Sequence, residues 1–244
     1  MKKLLFNALI IAIVVISIVL TISFFTPPKK IPNYSDEKLR ELALERGLRA
    51  VPSSFDELKK LVDDNSNPMT PQKIALGREL FFDTNLSKSR KTSCATCHSF
   101  DKDIKNSTVL SDFLTKETQN TTDCSACHLR DQSGVDRFTF SQGDSGTIHP
   151  YRLNTQTILN VTFSKYFTWS GEVKSIREQS INSLLNYHKL NMKPQDVEIR
   201  LKSNLKYQKM FVEAFSDGIT FENSAKAIEV YVKTLVTRGS YDIF

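Results

Sequence analysis

Two similar heptapeptides stand out in this chain: Thr92-Ser93-Cys94-Ala95-Thr96-Cys97-His98 and Thr122-Asp123-Cys124-Ser125-Ala126-Cys127-His128. Each contains C-x-x-C-H, the pattern of haem c attachment. Two thiols at this spacing can each bond to one vinyl group of a haem, and the adjacent His presents its imidazole to the iron. The sequence therefore predicts two covalently bound haem c groups. The predicted attachment residues are Cys94, Cys97, Cys124 and Cys127, and the predicted proximal iron ligands are His98 and His128.

Two other kinds of site use paired cysteines. Four thiolates could bind one zinc ion, but such a site does not require a His after each second Cys. A redox-active dithiol of the thioredoxin type needs a βαβ context, and no strand pattern is apparent in the sequence. Haem attachment explains both the histidines and the use of all four cysteines.

The histidine count points to the sixth iron ligands. The chain has four histidines, and two of them belong to the motifs. The other two, His149 and His188, are the candidate distal ligands, although each could be an ordinary surface or core residue. Met192 is a rival to His188, because a thioether ligand raises the reduction potential of a haem.

The first 26 residues predict a membrane segment. Residues 4–25 are almost entirely apolar and, as a helix, would be about 33 Å long, enough for a hydrocarbon core of about 30 Å. We expect an uncleaved transmembrane helix over residues 1–26, with the bulk of the chain in the periplasm. A cleaved signal peptide is the alternative, with Thr21-Ile22-Ser23 as a weak cleavage motif.

Composition excludes several classes of protein. The 244 residues are 40% apolar and 25% charged, as in an average globular protein, and four cysteines are too few for a disulfide-stapled scaffold. The net charge of +6 comes from charges that alternate in sign instead of forming a basic stripe. We therefore expect no nucleic-acid partner.

Helix signals flank a long polar region. Residues 27–66 predict a tether with two short helices, the first capped by Ser35 and stopped at Gly47. Thr70 and Pro71 open the next helix. Four helices are predicted over residues 172–187, 194–204, 205–215 and 220–237. Residues 83–155 lack apolar periodicity, so we expect haem to organise them, giving an all-α, cytochrome c-like domain over residues 67–244 with long haem-wrapping loops.

Several further segments of the sequence resemble those of a known protein family. They are Leu76-Gly77-Arg78-Glu79-Leu80-Phe81-Phe82-Asp83, Ser141-Gln142-Gly143, Asn154-Thr155-Gln156-Thr157-Ile158-Leu159-Asn160, Trp169-Ser170-Gly171-Glu172 and Glu178-Gln179. In order and spacing they resemble the first haem domain of the bacterial dihaem cytochrome c peroxidases and the related enzymes of tryptophylquinone maturation. The resemblance covers residues 67–244.

The resemblance implies candidate catalytic residues. The family's peroxide site uses a Gln, which Gln179 matches, and a Glu ten residues later, where this chain has Lys189. A protonated Lys is a poorer acid–base group than a Glu at neutral pH. Trp169 matches a residue that lies between the two haems in the family, or it forms a buried wall of a haem pocket. The family's dissociable distal His corresponds to Asp144, and His149 could replace it.

Other departures concern the architecture. Family members carry two haem domains in tandem, whereas this sequence matches only the first. The simplest account of its second motif is an inserted segment of about 30 residues that carries one additional haem. Asn154 matches a calcium ligand at the family's domain interface, but the other ligands come from the second domain, so we expect no calcium here.

Three functions follow as hypotheses. The first is a membrane-anchored dihaem cytochrome that transfers electrons outside the inner membrane, with a small cytochrome or a quinol-linked protein as donor. The second is reduction of hydrogen peroxide, as the resemblance implies, with Gln179 and Trp169 assisting. The third is a non-catalytic subunit or haem sensor that docks a separate protein in place of the second domain.

Overall fold

The computed structural model describes residues 15–17, 33–99, 134–136, 138–239 and 242. Their regular secondary structure is helical, and the only β-pairing among them is an isolated antiparallel bridge between Gln142 and Ile148. The all-α prediction is therefore confirmed for the described part of the chain. Its α-helices are α1 (Asp36–Glu45), α2 (Phe55–Val62), α3 (Pro71–Phe82), α4 (Cys94–Cys97), α5 (Ile176–Leu185), α6 (Pro194–Lys202), α7 (Leu205–Ala214) and α8 (Phe221–Lys233). Short 3₁₀ turns are Thr84–Leu86, Asp144–Gly146 and Val161–Phe163.

The expected transmembrane helix over residues 1–26 requires a correction. Across the described ranges, no helix is long and apolar enough to cross a membrane. A span needs about 20 residues of continuous helix, and the described residues within the apolar run are the three helical residues 15–17. The transmembrane helix was predicted from the length and apolar composition of residues 4–25, and these do not establish a continuous helix. The remainder of residues 1–26 lies outside the described ranges.

The chain divides into two compact units, Met1–Arg49 and Ala50–Phe244. In the first unit, the Ser35 hydroxyl accepts a hydrogen bond from the Lys38 amide and caps α1. Gly47 follows α1 with φ +82°, a left-handed conformation that ends a helix without strain in glycine. The predicted start and stop signals of this helix are both confirmed.

Caps also define the helices of the second unit. The Thr70 hydroxyl accepts from Lys73 N at the start of α3, where Pro71 occupies the first turn, and the Thr220 hydroxyl accepts from Asn223 N before α8. Helix α8 ends at Lys233, four residues before the prediction. The reason is that the chain beyond it pairs with Asn160, whose amide N–H donates to Leu235 O and whose side chain bonds to Thr237.

The core is built on the crossing of α3 with α8. Ile74, Leu76 and Leu80 on α3 are fully buried, as are Ala227 and Val230 on α8. Gly77 sits at the crossing, where a Cβ atom would lie 2.0 Å from the Ala227 carbonyl oxygen. The two backbones can approach this closely only because Gly77 has no side chain.

A buried polar cluster lies beside this crossing. Lys233 forms an ion pair with Glu229 at 3.2 Å, and both side chains are about nine-tenths buried. The Asn67 amide donates to Glu229 at 2.9 Å, and Lys73 donates to Asn67 at 3.0 Å. Buried charges require such partners, so this cluster ties the segment before α3 to α8.

Candidate haem site

Helix α4 is the Cys94–Cys97 segment of the first motif. A capping box starts it: the Ser93 amide donates to the Thr96 hydroxyl at 2.9 Å, and the Thr96 amide donates back to Ser93. The His98 amide then donates to the Cys94 carbonyl at 2.9 Å. One helical turn thus places both thiols close together with the imidazole directly after them.

Both thiols of the first motif are protonated at neutral pH. Burial raises the pKa of Cys94 to about 12, helped by the proximity of Cys97. Burial likewise raises the pKa of Cys97 to about 11, with Asp136 adding to the effect. A reactive dithiol requires a lowered pKa, so this pair does not fit a redox-active disulfide site. In the described part of the chain, no three His, Cys, Asp or Glu residues form a metal cluster.

A backbone carbonyl orients the His98 ring. Its Nδ1 lies 3.1 Å from the Gly134 carbonyl oxygen. A carbonyl can only accept, so Nδ1 carries the proton and donates, which leaves the lone pair on Nε2. Burial lowers the pKa of His98 and favours this neutral form. Metal-bound histidines are oriented by the same kind of bond from the second ring nitrogen.

The chain leaves this site at Ser99 and returns to the same place at Gly134. The Gly134 amide donates to the Ser99 carbonyl at 2.9 Å, and the Ser99 hydroxyl donates to the Val135 carbonyl at 3.1 Å. We call these two bonds the clasp. The second motif, with Cys124, Cys127 and His128, lies outside the described residues, between the two sides of the clasp.

The two remaining histidines, which the sequence nominated as distal ligands, are neighbours. The ring centroids of His149 and His188 are 5.3 Å apart. Their ring nitrogens differ: His149 Nδ1 accepts from the Tyr151 amide at 3.3 Å, whereas His188 Nδ1 is buried with no partner among the described residues. When neutral, His149 therefore carries its proton on Nε2.

The His188–Lys189 backbone packs against Gly143. A Cβ atom on Gly143 would lie 2.0 Å from the His188 carbonyl oxygen, and the neighbouring Asp144 amide donates to the Lys189 carbonyl at 2.6 Å. The Cys97 thiol donates weakly to the Gln142 carbonyl at 3.5 Å, which joins this wall to the motif. The glycine is needed because two backbone segments touch.

Lys189 lies close to the first motif. Burial lowers its pKa, and the nearby Cys97 and Cys94 partly oppose that shift. Its ammonium nitrogen is 3.4 Å from the Ser183 hydroxyl. The position at which the resemblance expects an acid is thus a largely buried amine beside the thiols.

Asp144 has a structural role. Its buried carboxylate accepts from the Ser89 amide at 2.8 Å and from the Ser89 hydroxyl. Burial by itself raises the pKa of Asp144, but these hydrogen bonds outweigh it and the net shift is downward. The residue that replaces the family's distal His therefore holds the loop before α4.

The proposed catalytic residues lie in different settings. Gln179 is on α5, and its Oε1 is buried without a partner among the described residues. Trp169 is 61% exposed, and its indole N–H donates to the Asn154 carbonyl at 2.9 Å. Trp169 thus lies on a surface turn, and its place relative to a haem stays a prediction. Met192, the rival distal ligand, is packed in the apolar core.

A family model described as di-haem cytochrome c peroxidase matches residues 71–119 and 114–244, which together cover more than half of the chain. The chain belongs to this family. Each of the two matched segments contains one C-x-x-C-H motif. Haem is the cofactor of the dihaem peroxidase family, and this family membership agrees with the orientation of His98.

Curated relatives cover part of their own length. The cytochrome c551 peroxidase of Pseudomonas aeruginosa is 28% identical over 200 residues, which are 80% of this chain and 47% of that protein. The methylamine utilization protein MauG of Methylorubrum extorquens is also 28% identical, over 80% of this chain and 47% of that protein. The chain thus spans about half the length of these relatives.

A solved structure shares the fold. A MauG-like protein associated with microbial copper homeostasis superposes with a TM-score of 0.54 at 20% identity, over 87% of this chain and 47% of that one. At this identity the likeness concerns the fold alone.

The residues around His98 fit a haem. Two thiols stand one helical turn from His98, and the polar atoms Gln179 Oε1 and His188 Nδ1 are buried without partners among the described residues. Such orphaned atoms are costly in a finished protein interior, so they indicate a group that would lie against them.

Sequence reasoning missed three residues of this site: Gly134, Asp144 as a loop clamp, and Tyr151. The available signal for Gly134 was a lone glycine in a polar stretch, and its φ of +74° explains that choice. Nothing in the sequence paired it with His98, 36 residues away.

Proposed function

We propose that this protein is a periplasmic dihaem c-type cytochrome that transfers electrons between redox proteins through the domain of residues 67–244. Family membership and the orientation of His98 support the proposal. Bound haem supplies an iron that cycles between two oxidation states. In the proposal, Cys94, Cys97, Cys124 and Cys127 hold two haems, and His98 and His128 are their proximal ligands.

His188 is our choice of distal ligand for the haem of the first motif. Its Nδ1 is unpartnered, and its backbone packs on Gly143, next to the Gln142 carbonyl that contacts Cys97. His149 is less suited, because its Nδ1 accepts from Tyr151 and its Nε2 then carries a proton. Ligation by His149 would require loss of that bond.

The residue at position 189 is our reason for preferring electron transfer over peroxide reduction as the function. Breaking the peroxide bond benefits from an acid that delivers a proton to the departing oxygen. The described site offers a largely buried amine at that position, and the other distal position, Asp144, is bound to Ser89. A relay of electrons requires neither group to move a proton.

The second haem motif fits an inserted segment. The family match breaks into two segments between the motifs, and the clasp brings Ser99 and Gly134 together. Gly134 follows His128 by six positions, which limits the separation of their Cα atoms to about 22 Å.

Electron paramagnetic resonance of the full, haem-loaded chain tests the proposal. We expect low-spin ferric signals alone, both in the fully oxidised protein and after addition of half the electrons needed for reduction. This result means that both irons keep six ligands. A high-spin ferric signal that arises on half reduction would show that one ligand leaves, and it would contradict the electron-transfer proposal.

Peroxide reduction is the second candidate, and one observation favours it. Gln179 Oε1 is buried and unpartnered among the described residues, as expected of a group that would bind a small ligand. Relatives named as cytochrome c peroxidases agree with this candidate. Steady-state peroxide turnover with a reduced cytochrome as donor separates the two functions.

A further inference from the structure

Four large aromatic side chains are exposed in the segments on either side of the candidate haem site. Tyr151, Tyr166, Trp169 and Tyr187 are 79%, 58%, 61% and 61% exposed. Large exposed apolar groups are costly to leave in water and mark interaction sites when they cluster. We call these four residues, together with Arg152 and Lys165, the aromatic face.

Contacts hold the aromatic face in place. Trp169 is fixed by its bond to the Asn154 carbonyl, three residues after Tyr151. Lys174 lies over the Tyr166 ring at 4.1 Å from its centroid and donates to the Gly171 carbonyl. Aromatic side chains held this way lose little freedom on binding, which is the property of interface anchors.

The aromatic face adjoins the candidate haem site along two routes. Tyr151, His149, His188 and Tyr187 form a row of rings, with successive centroids 5.2, 5.3 and 5.1 Å apart. On the other side, Asn154, which accepts from Trp169, is two residues from Gln156, whose backbone lies within hydrogen-bonding reach of His98. A partner seated here would be close to the iron ligands.

The charge of the aromatic face defines the partner. Between residues 148 and 178 the exposed charges are those of three basic residues, Arg152, Lys165 and Lys174, and two acidic ones, Glu172 and Glu178, so basic groups outnumber acidic ones. A basic surface with aromatic anchors is complementary to an acidic protein surface, and long-range attraction between them speeds encounter.

We propose that the aromatic face is the docking surface for an acidic electron-transfer protein. The inference rests on the proposed electron-transfer function. One electron passes from the reduced partner to the oxidised haem protein, which leaves the partner oxidised by one electron and this protein reduced by one.

Stopped-flow reduction of the full, haem-loaded chain tests the proposal. The probe is a photoreduced flavodoxin, an acidic one-electron donor, and ascorbate is the small-molecule control. We expect the flavodoxin rate to fall as salt is added, since salt screens the attraction. Tyr166→Ala should lower that rate about tenfold and Lys165→Glu about threefold, with the ascorbate rate unchanged in both.

Leu205→Ala is the matched control variant. Leu205 is 79% exposed, as is Tyr151, but lies at the start of α7. We expect flavodoxin to reduce the Leu205→Ala variant as fast as the original chain.

Three results would overturn the docking proposal. The variants of the aromatic face could be reduced by flavodoxin as fast as the control, or their reduction by ascorbate could slow by the same factor. Alternatively, sedimentation could show that the original chain forms a dimer and that the variants of the aromatic face do not. Failure of the proposed function is a separate result. In that case the original chain would take no electrons from any donor or would show the high-spin signal described above.

Discussion

The α3–α8 crossing and the loops around Cys94–His98 hold their shapes by different means. We call residues 84–99 and 134–171 the haem loops. At the crossing, fully buried apolar side chains pack around Gly77. Among the described residues of the haem loops, only Leu86 is a buried apolar side chain, and hydrogen bonds such as the clasp supply the order. Apolar burial stabilises the crossing, whereas we expect the haem loops to need a cofactor to complete their interior.

Removal of haem should separate the two regions most strongly. We expect a Cys94→Ala/Cys97→Ala variant to exchange the amides of the haem loops at least about 100-fold faster, while those of α3 and α8 keep their protection. Hydrogen exchange followed by mass spectrometry measures both regions in one sample. Equal loss of protection in the two regions would contradict the comparison. The amides of α1 serve as an internal control.

The crossing itself can be tested by Gly77→Ala. The added methyl would meet the Ala227 carbonyl at 2.0 Å, so we expect a loss of about 3 kcal/mol in the free energy of unfolding. Denaturant titration measures this loss. Gly218→Ala is the control: Gly218 has φ +70° with no atom within 4 Å of an added Cβ, so only backbone strain of about 1 kcal/mol is expected. A similar loss in both variants would show that contact at the crossing is unimportant.

Asp144→Asn tests the hydrogen-bonded order of the haem loops. We expect a loss of about 1–2 kcal/mol at neutral pH, because a charged acceptor of two Ser89 hydrogen bonds becomes neutral. The folded pKa of Asp144 is lowered, so its contribution is present above the unfolded pKa of about 3.9 and is lost as pH falls through the folded pKa.

Unfolding titrations at several pH values check this prediction. The difference between the original chain and Asp144→Asn should shrink below about pH 4. Ser89→Ala removes the hydroxyl bond from the other side and leaves the amide bond in place, so the two substitutions should be less than additive. Additive losses, or a difference that is constant with pH, would contradict this role of Asp144.

Lys189→Glu has the smallest expected effect, and the quantity affected is the rate of peroxide turnover, not stability. An acid in place of the buried amine should raise peroxide turnover at least about tenfold. Lys189→Gln is the control, since it removes the amine without supplying an acid. Turnover assays with a reduced cytochrome check the prediction, and equal rates in the two variants would contradict it.

Local signals predicted the helices well. Ser35, Thr70 and Thr220 were assigned as caps from the sequence, and each accepts the expected amide hydrogen bond. Capping depends on residues three positions apart, so it is visible in sequence. The end of α8 was misplaced, because it is set by the pairing with Asn160, more than 70 residues earlier.

The chemistry of the candidate site was predictable in kind but not in arrangement. The C-x-x-C-H motif identified Cys94, Cys97 and His98 together, since all three lie on one helical turn. The partner of His98, the Gly134 carbonyl, and the exposure of Trp169 could not be predicted. Each depends on how separate loops meet, and no local pattern encodes that meeting.

By itself the sequence determined the haem-attachment motifs, the helical class and the family resemblance, because each depends on residues that are close together in the chain. Tertiary structure alone decided that Gly134 orients His98, that His149 and His188 lie side by side, and that Asp144 clamps Ser89. It also placed Trp169 at the surface. The physical reason is that hydrogen bonding and burial between distant segments depend on the packing of the whole domain, which the α3–α8 crossing establishes.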